Sequence, residues 1–243
     1  MCRHLAWLGP PRTLNSLIYE PEYGLESQSY RPRMQRYGVV NADGFGVGWY
    51  LPGRDRPVRY RRAVPIWSDD NIRALAEVTT AGCLVAAVRT ASAGMPVEES
   101  ATAPFTRGGW LVSHNGRVAV EAVRPLVEPG EPESRCDSAW LAAAVFARVD
   151  AGAGLAEAVA EVVRTAGAAD RQARLNLLVS DGTAVVASVW AETLWIRRGD
   201  GVPGGDGVLL ASEPLEEGPG WEAVPDHRLV LATRHGIDIQ ELS

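Results

Sequence analysis

Met1-Cys2-Arg3-His4-Leu5-Ala6-Trp7-Leu8-Gly9 opens the chain, a cysteine leading directly into an apolar run. Cys2 to Gly9 reads as a first buried strand, ended by Gly9-Pro10-Pro11, because the run is short, apolar and bounded by turn formers. Removal of Met1 leaves Cys2 with its thiol and a free α-amine on one residue. A terminal α-amine titrates near ~7.7–8, so it can take a proton from the adjacent thiol at neutral pH. On position alone an ordinary, small, partly buried cysteine remains the alternative.

The 243 residues carry a formal net charge of −6 and are 46% hydrophobic and 22% charged. This is an ordinary globular composition, compatible with one domain over 2–243, and no apolar run of ~18 residues predicts a membrane span. Net negative charge offers no general footprint for nucleic acid. The local basic patch of Arg54, Arg56, Arg59, Arg61 and Arg62 is read as a solvated strand face. No lysine occurs, which excludes Schiff-base and Walker-lysine chemistry. Cys2, Cys83 and Cys136 are too few and too widely spaced for a disulfide framework or a CxxC metal site. His4, His114, His227 and His235 show no ligand spacing. A reducing cytoplasm is expected, and no signal peptide.

After the first strand, Thr13 to Tyr19 reads as a short helix capped near Thr13, and Glu20 to Asp43 as a long irregular loop, a candidate lid. Gly44 to Leu51 and about Pro57 to Arg62 read as a hairpin. Its GxGxG lacks the last glycine of a dinucleotide fingerprint and precedes an aromatic strand, so the alternating glycines point to close approach by a ligand or another backbone. A helix over Asp70 to Val78 and a strand over Cys83 to Val88 follow. Trp110 to His114 is a strand, with Asn115-Gly116 as its hairpin turn. Asp137 or Ser138 caps a helix through about Val149, and a second helix covers about Gly154 to Arg164. The last third predicts strands over Arg174 to Val179, Thr183 to Trp190, Thr193 to Arg197, Gly207 to Ala211, Arg228 to Ala232 and Ile237 to Gln240. Gly199 to Gly207 is a glycine-rich loop. Strands at both ends with helices between them indicate an α+β fold, two antiparallel sheets facing each other with helices outside.

Four signals stand in order along this frame. They are Cys2, Arg89 at the end of a strand, Asn115-Gly116 after another, and Asp137 at the start of a helix. Cys2-Arg3, Asp43-Gly44-Phe45-Gly46-Val47-Gly48, Arg89-Thr90-Ala91-Ser92-Ala93-Gly94, His114-Asn115-Gly116 and Cys136-Asp137-Ser138 together resemble the class II glutamine amidotransferase domain, an N-terminal-nucleophile hydrolase. Ser92 stands where that family usually has threonine, and Cys136 and Ala139 flank Asp137 where serine and glutamate are usual. The resemblance implies a four-layer αββα sandwich and hydrolysis of a γ-glutamyl amide. By the same resemblance Cys2 is the nucleophile, and the Asn115 amide and Gly116 N–H receive the oxyanion. Arg89 binds the glutamyl α-carboxylate, helped by Thr90 and Ser92, and Asp137 binds its ammonium.

No metal or organic cofactor is implied, and the expected partner is a small γ-glutamyl substrate, with oligomeric state left open. The length, the opening Cys-Arg-His and the loop with Tyr30-Arg31-Pro32 are most similar to the stand-alone amidohydrolase branch of the family. That branch removes glutamate from γ-glutamyl-hercynylcysteine sulfoxide in ergothioneine biosynthesis. The leaving portion then carries a trimethylammonium group, for which Tyr37 and Trp49 are candidate aromatic partners. Two alternatives stand beside this reading: a glutaminase subunit that passes ammonia to a separate synthase, and a non-catalytic glutamyl-binding protein.

Overall fold

A computed structural model describes residues 2–127, 132–199 and 206–242. Strand β1 (Arg3–Thr13) is followed by helices α1 (Asn15–Ile18) and α2 (Leu25–Tyr30), then by the hairpin β2 (Phe45–Trp49) and β3 (Val58–Arg62). Helix α3 (Asp70–Val78) leads into β4 (Thr80–Val88), β5 (Phe105–Arg107) and β6 (Trp110–Arg117). Helices α4 (Val120–Val123), α5 (Asp137–Asp150) and α6 (Leu155–Ala169) precede β7 (Arg174–Ser180), β8 (Ala184–Val189) and β9 (Trp195–Arg198). Strands β10 (Val208–Ala211), β11 (Trp221–Ala223), β12 (Arg228–Thr233) and β13 (Gly236–Glu241) complete the order.

The strands form two antiparallel sheets, β11-β9-β10-β1-β4-β2-β3 and β13-β12-β8-β7-β6-β5. Side chains alternate across each strand, so one strand feeds two cores. From β1, Leu5 and Trp7 pack with Ile18 and Ile72 of the first helical layer, whereas Ala6 and Leu8 pack with Leu111, Leu178 and Val230 between the sheets. On β6 and β7, Val112, Leu177 and Val179 turn instead to Leu141, Val145, Val159 and Val163 of α5 and α6. Three apolar interfaces separate four layers, giving the αββα sandwich that the sequence led us to expect. Full burial of each large aliphatic side chain contributes about 1.5–3 kcal/mol.

Several boundaries differ from the sequence reading. β1 continues through Pro10 and Pro11, because a register shift between Leu8 and Arg12 takes the prolines out of the ladder. Thr13 ends β1 instead of capping the first helix, although its Oγ1 still accepts from Ser16 N–H at 3.2 Å. The stretch from Glu20 to Asp43 contains α2, whose Leu25, Ser27, Gln28 and Ser29 are buried. Helix α3 keeps its expected bounds, with Asp69 just before it as the cap, accepting from Asn71 N–H at 3.0 Å and Ile72 N–H at 3.3 Å. Helix α6 extends five residues beyond the expected Arg164, and β11 was not expected. Of the expected loop from Gly199 to Gly207, positions 200–205 lie outside the described residues, as does Met1.

Of the basic patch read as solvated, Arg54 and Arg56 are exposed, whereas Arg59, Arg61 and Arg62 on β3 are half-buried and paired. Arg59 and Arg61 both reach Glu133, and Arg62 reaches Asp69 and Glu99. The hairpin glycines answer to backbone and core. A Cβ on Gly46 would lie 2.2 Å from the Ala103 carbonyl oxygen, and one on Gly48 would lie 2.7 Å from Leu111. No helix among the described residues is long and apolar enough to cross a membrane.

Candidate active site

Cys2 is half-buried at the head of β1, a central strand bounded there by β4. It lines a narrow cleft with Arg89, His114, Ser138, Ala103 and Phe105. A larger groove opens at the other end of β1, among Leu8, Tyr50, Cys83, Arg198 and His235, and none of the expected site residues lines it. Burial pushes the Cys83 thiol up to about 12 and the Cys136 thiol up to about 11, so both are protonated at neutral pH.

Asn115-Gly116 does not form the expected hairpin turn. β6 runs on to Arg117, with Asn115 opposite Asn176 and Gly116 opposite Leu175 of β7. Glycine is required at 116 by close approach, since a Cβ would lie 1.9 Å from the Arg174 carbonyl oxygen. That carbonyl is also 2.8 Å from His114 Nε2, and a carbonyl can only accept, so Nε2 carries the proton. Nδ1 then accepts from the Ser138 hydroxyl at 2.9 Å. Burial lowers the His114 pKa, against the opposing pull of Asp137, which keeps the ring neutral. Asn115 and Ser113 face the opposite way from His114, toward the first sheet. Ser113 Oγ meets His4 Nδ1 at 3.1 Å, and Asn115 Nδ2 makes a long 3.4 Å bond to Ser212 Oγ.

Arg89 leaves the end of β4 and is buried. Its Nη2 donates to the Pro96 carbonyl at 2.8 Å, while Nη1 is buried with no partner among the described residues. An unsatisfied charged donor is costly in isolation, and an incoming carboxylate would satisfy it. Asp137, the first residue of α5, follows Cys136 at the N-cap and does not itself cap the helix. Its Oδ2 accepts from Val118 N–H at 3.1 Å and Oδ1 from Ser138 N–H at 2.9 Å, tying α5 to the end of β6. Of the expected site residues, Cys2 and Arg89 line the cleft; Asn115, Gly116 and Asp137 lie beside its lining residues His114 and Ser138 in sequence, and Thr90 and Ser92 are turned to other partners or to solvent. The Thr90 hydroxyl is engaged by the Val40 carbonyl and Asn41 Oδ1, and Ser92 is exposed on the following turn.

The candidate aromatic partners also separate. Trp49 is buried in the first helical core at the far end of β2. Tyr37 is exposed, and one face already carries the Arg174 guanidinium at 4.5 Å.

Sequence reading missed the charges behind Cys2. Arg3 is wholly buried, 3.9 Å from Glu192 and 3.8 Å from Glu213, and Arg174 pairs with Glu192 at 3.0 Å. Two guanidiniums and two carboxylates offset one another in a site where a lone charge would cost several kcal/mol. Burial lowers the Arg3 pKa and raises that of Glu192, and in each case the opposite charges pull it back. Glu213 also accepts from the N–H groups of Arg33 at 3.0 Å and Met34 at 2.7 Å, holding the loop before β2 against the head of β1. The available signal was Ser212-Glu213, two polar residues at the end of an apolar strand. Among the described residues no group of three or more His, Cys, Asp or Glu is arranged to hold a metal ion.

The class of protein to which this αββα sandwich, with a cysteine at the head of a central strand, belongs is given by its relatives. Residues 24–201 match the family model for class II glutamine amidotransferases, and the chain belongs to that family. It is 45% identical over its whole length to a gamma-glutamyl-hercynylcysteine sulfoxide hydrolase of Mycobacterium tuberculosis, covering 97% of that relative. A protein of the same description from Mycolicibacterium smegmatis is 45% identical over 95% of each chain. The fold is similar to that of the glutamine phosphoribosylpyrophosphate amidotransferase of B. subtilis, with a TM-score of 0.73 at 14% identity, over all of this chain and 49% of the other.

Proposed function

We propose that this protein, acting as one domain over 2–243 in the cytoplasm, hydrolyses the γ-glutamyl amide of γ-glutamyl-hercynylcysteine sulfoxide to glutamate and hercynylcysteine sulfoxide in ergothioneine biosynthesis. The observation that carries the reaction is the half-buried Cys2 sharing a cleft with a buried Arg89 whose Nη1 has no described partner. The full-length similarity to the mycobacterial hydrolases supports the substrate.

With Met1 removed, the Cys2 α-amine accepts the thiol proton as sulfur attacks the γ-carbonyl carbon. The oxyanion is held by Asn115 Nδ2 and the Gly116 N–H. The amine returns the proton to the departing nitrogen, the C–N bond breaks, and a thioester remains. Water attacks the thioester, its proton is taken by the same amine, and glutamate leaves as the thiol re-forms. Arg89 holds the glutamyl α-carboxylate through its fork, and Asp137 pairs with the α-ammonium. Thr90 keeps the adjoining loop in place through Val40.

Purified protein lacking Met1 is expected to release glutamate from the sulfoxide conjugate far faster than ammonia from glutamine. Efficient ammonia release with no glutamate from the conjugate would replace this reading with the glutaminase-subunit one. Arg89→Ala and Asp137→Asn are each expected to raise KM about 10–100-fold while kcat changes by only a few-fold, since they grip the non-reacting end of the substrate. Initial-rate kinetics check this, and a fall in kcat at unchanged KM would overturn the two assignments.

A further inference from the structure

Ser212 lies one residue beyond β10 and is fully buried. Its hydroxyl accepts from His4 N–H at 3.0 Å and donates to the His4 carbonyl at 3.2 Å. The Asn115 Nδ2 reaches the same oxygen at 3.4 Å. A serine hydroxyl has one proton and two lone pairs. With the proton on the His4 carbonyl, which also accepts from the Ser212 N–H at 2.9 Å, one lone pair takes the His4 N–H and the other faces the Asn115 amide. That condition places the amide nitrogen of Asn115, not its oxygen, beside Ser212. Asn115 Oδ1 is buried with no partner among the described residues, so the bond to Ser212 is the one recorded contact that sets the amide. The second Nδ2 hydrogen is thereby left for another acceptor. His4 is two residues from Cys2, and Asn115 belongs to the opposite sheet, so one hydroxyl bridges the strand of the nucleophile and the oxyanion donor.

We propose that Ser212 is a positioning residue that orients the Asn115 side-chain amide relative to the Cys2-bearing strand, through its three hydrogen bonds to His4 and Asn115. The inference rests on the roles of Cys2 and Asn115 given under Proposed function. It adds a residue that does not touch the substrate and acts only through Asn115. Thr193 provides an internal control, because its Oγ1 donates to the Ser212 carbonyl at 2.7 Å and leaves the hydroxyl alone.

The test measures glutamate release from γ-glutamyl-hercynylcysteine sulfoxide by the wild type, Ser212→Ala, Ser212→Cys, Thr193→Val, Asn115→Ala and the Ser212→Ala/Asn115→Ala double variant, with a melting curve for each. Ser212→Ala is expected to lower kcat roughly tenfold with KM within about twofold. Ser212→Cys preserves the side-chain volume with a much weaker hydrogen-bonding group, and is expected to lose a similar factor. Thr193→Val keeps the wild-type rate. In the Asn115→Ala background, Ser212→Ala has no further effect on kcat, because the group it orients is gone. A wild-type kcat in a folded Ser212 variant would overturn the inference. So would the same tenfold loss with and without Asn115, which would make Ser212 an independent structural element. A wild type that releases no glutamate would instead remove the functional reading itself.

Discussion

Cys2→Ala is expected to fold, to bind the sulfoxide conjugate and to release no measurable glutamate, a loss on the order of 10⁴-fold or more in kcat. The fold tolerates the change because Cys2 precedes the first ladder residue and makes no side-chain hydrogen bond in the described structure. No other thiol can substitute. Cys83 sits at the far groove against Ser180 Oγ at 3.2 Å, and Cys136 is enclosed near Ala101, each held in its protonated form by burial. Turnover assays with equilibrium binding to the same variant check the separation of binding from chemistry. Intact mass completes the prediction, since the active wild type should lack Met1. Full activity with Met1 retained would sink the terminal-amine mechanism.

Asn115→Ala is expected to lower kcat by about 10²–10³-fold, the usual consequence of removing one oxyanion donor, with KM changed little. Folding should suffer far less. The side chain is fully buried, yet among the described residues its one hydrogen bond is the long one to Ser212 and its Oδ1 has no partner. A stability loss of about 1 kcal/mol, read by denaturant unfolding, is therefore the expected scale. A buried amide kept under-satisfied by the protein is poorly explained by stability and well explained by an acceptor that arrives with the substrate. Equal losses in kcat and KM, or unfolding of the variant, would count against the assignment.

Local pattern carried much of the fold. Alternating apolar residues located the main strands, and α3 has its expected bounds of Asp70 and Val78. Errors arose where a local signal had a distant cause. Asn115-Gly116 has the composition of a tight turn, but Gly116 is needed because the Arg174 carbonyl presses on it from β7. Pro10 and Pro11 look like a strand end, but a register shift accommodates them. Arg59 and Arg61 look solvated until Glu133, more than seventy residues on, folds over them. The cleft was legible for Cys2 and Arg89, whose types and positions announce chemistry. Ser212-Glu213 showed only as a polar pair after an apolar strand, and with Glu192 it owes its meaning to Arg3 or His4 about 200 positions away, joined when β10 pairs with β1.

Reactive groups commonly sit on loops that can breathe independently of the scaffold. Here the proposed nucleophile, Cys2, is one covalent step from a strand paired on both edges, with Leu5 to Leu8 matched to β4 on one side and β10 on the other. Amide hydrogens in such a segment exchange only when the whole sheet comes apart. On the proposed reading, the strand that carries the nucleophile is therefore expected to give way only with the rest of the sheet. Heat inactivation and global melting should be one event at one temperature, and residual activity after a thermal challenge becomes a direct count of folded molecules.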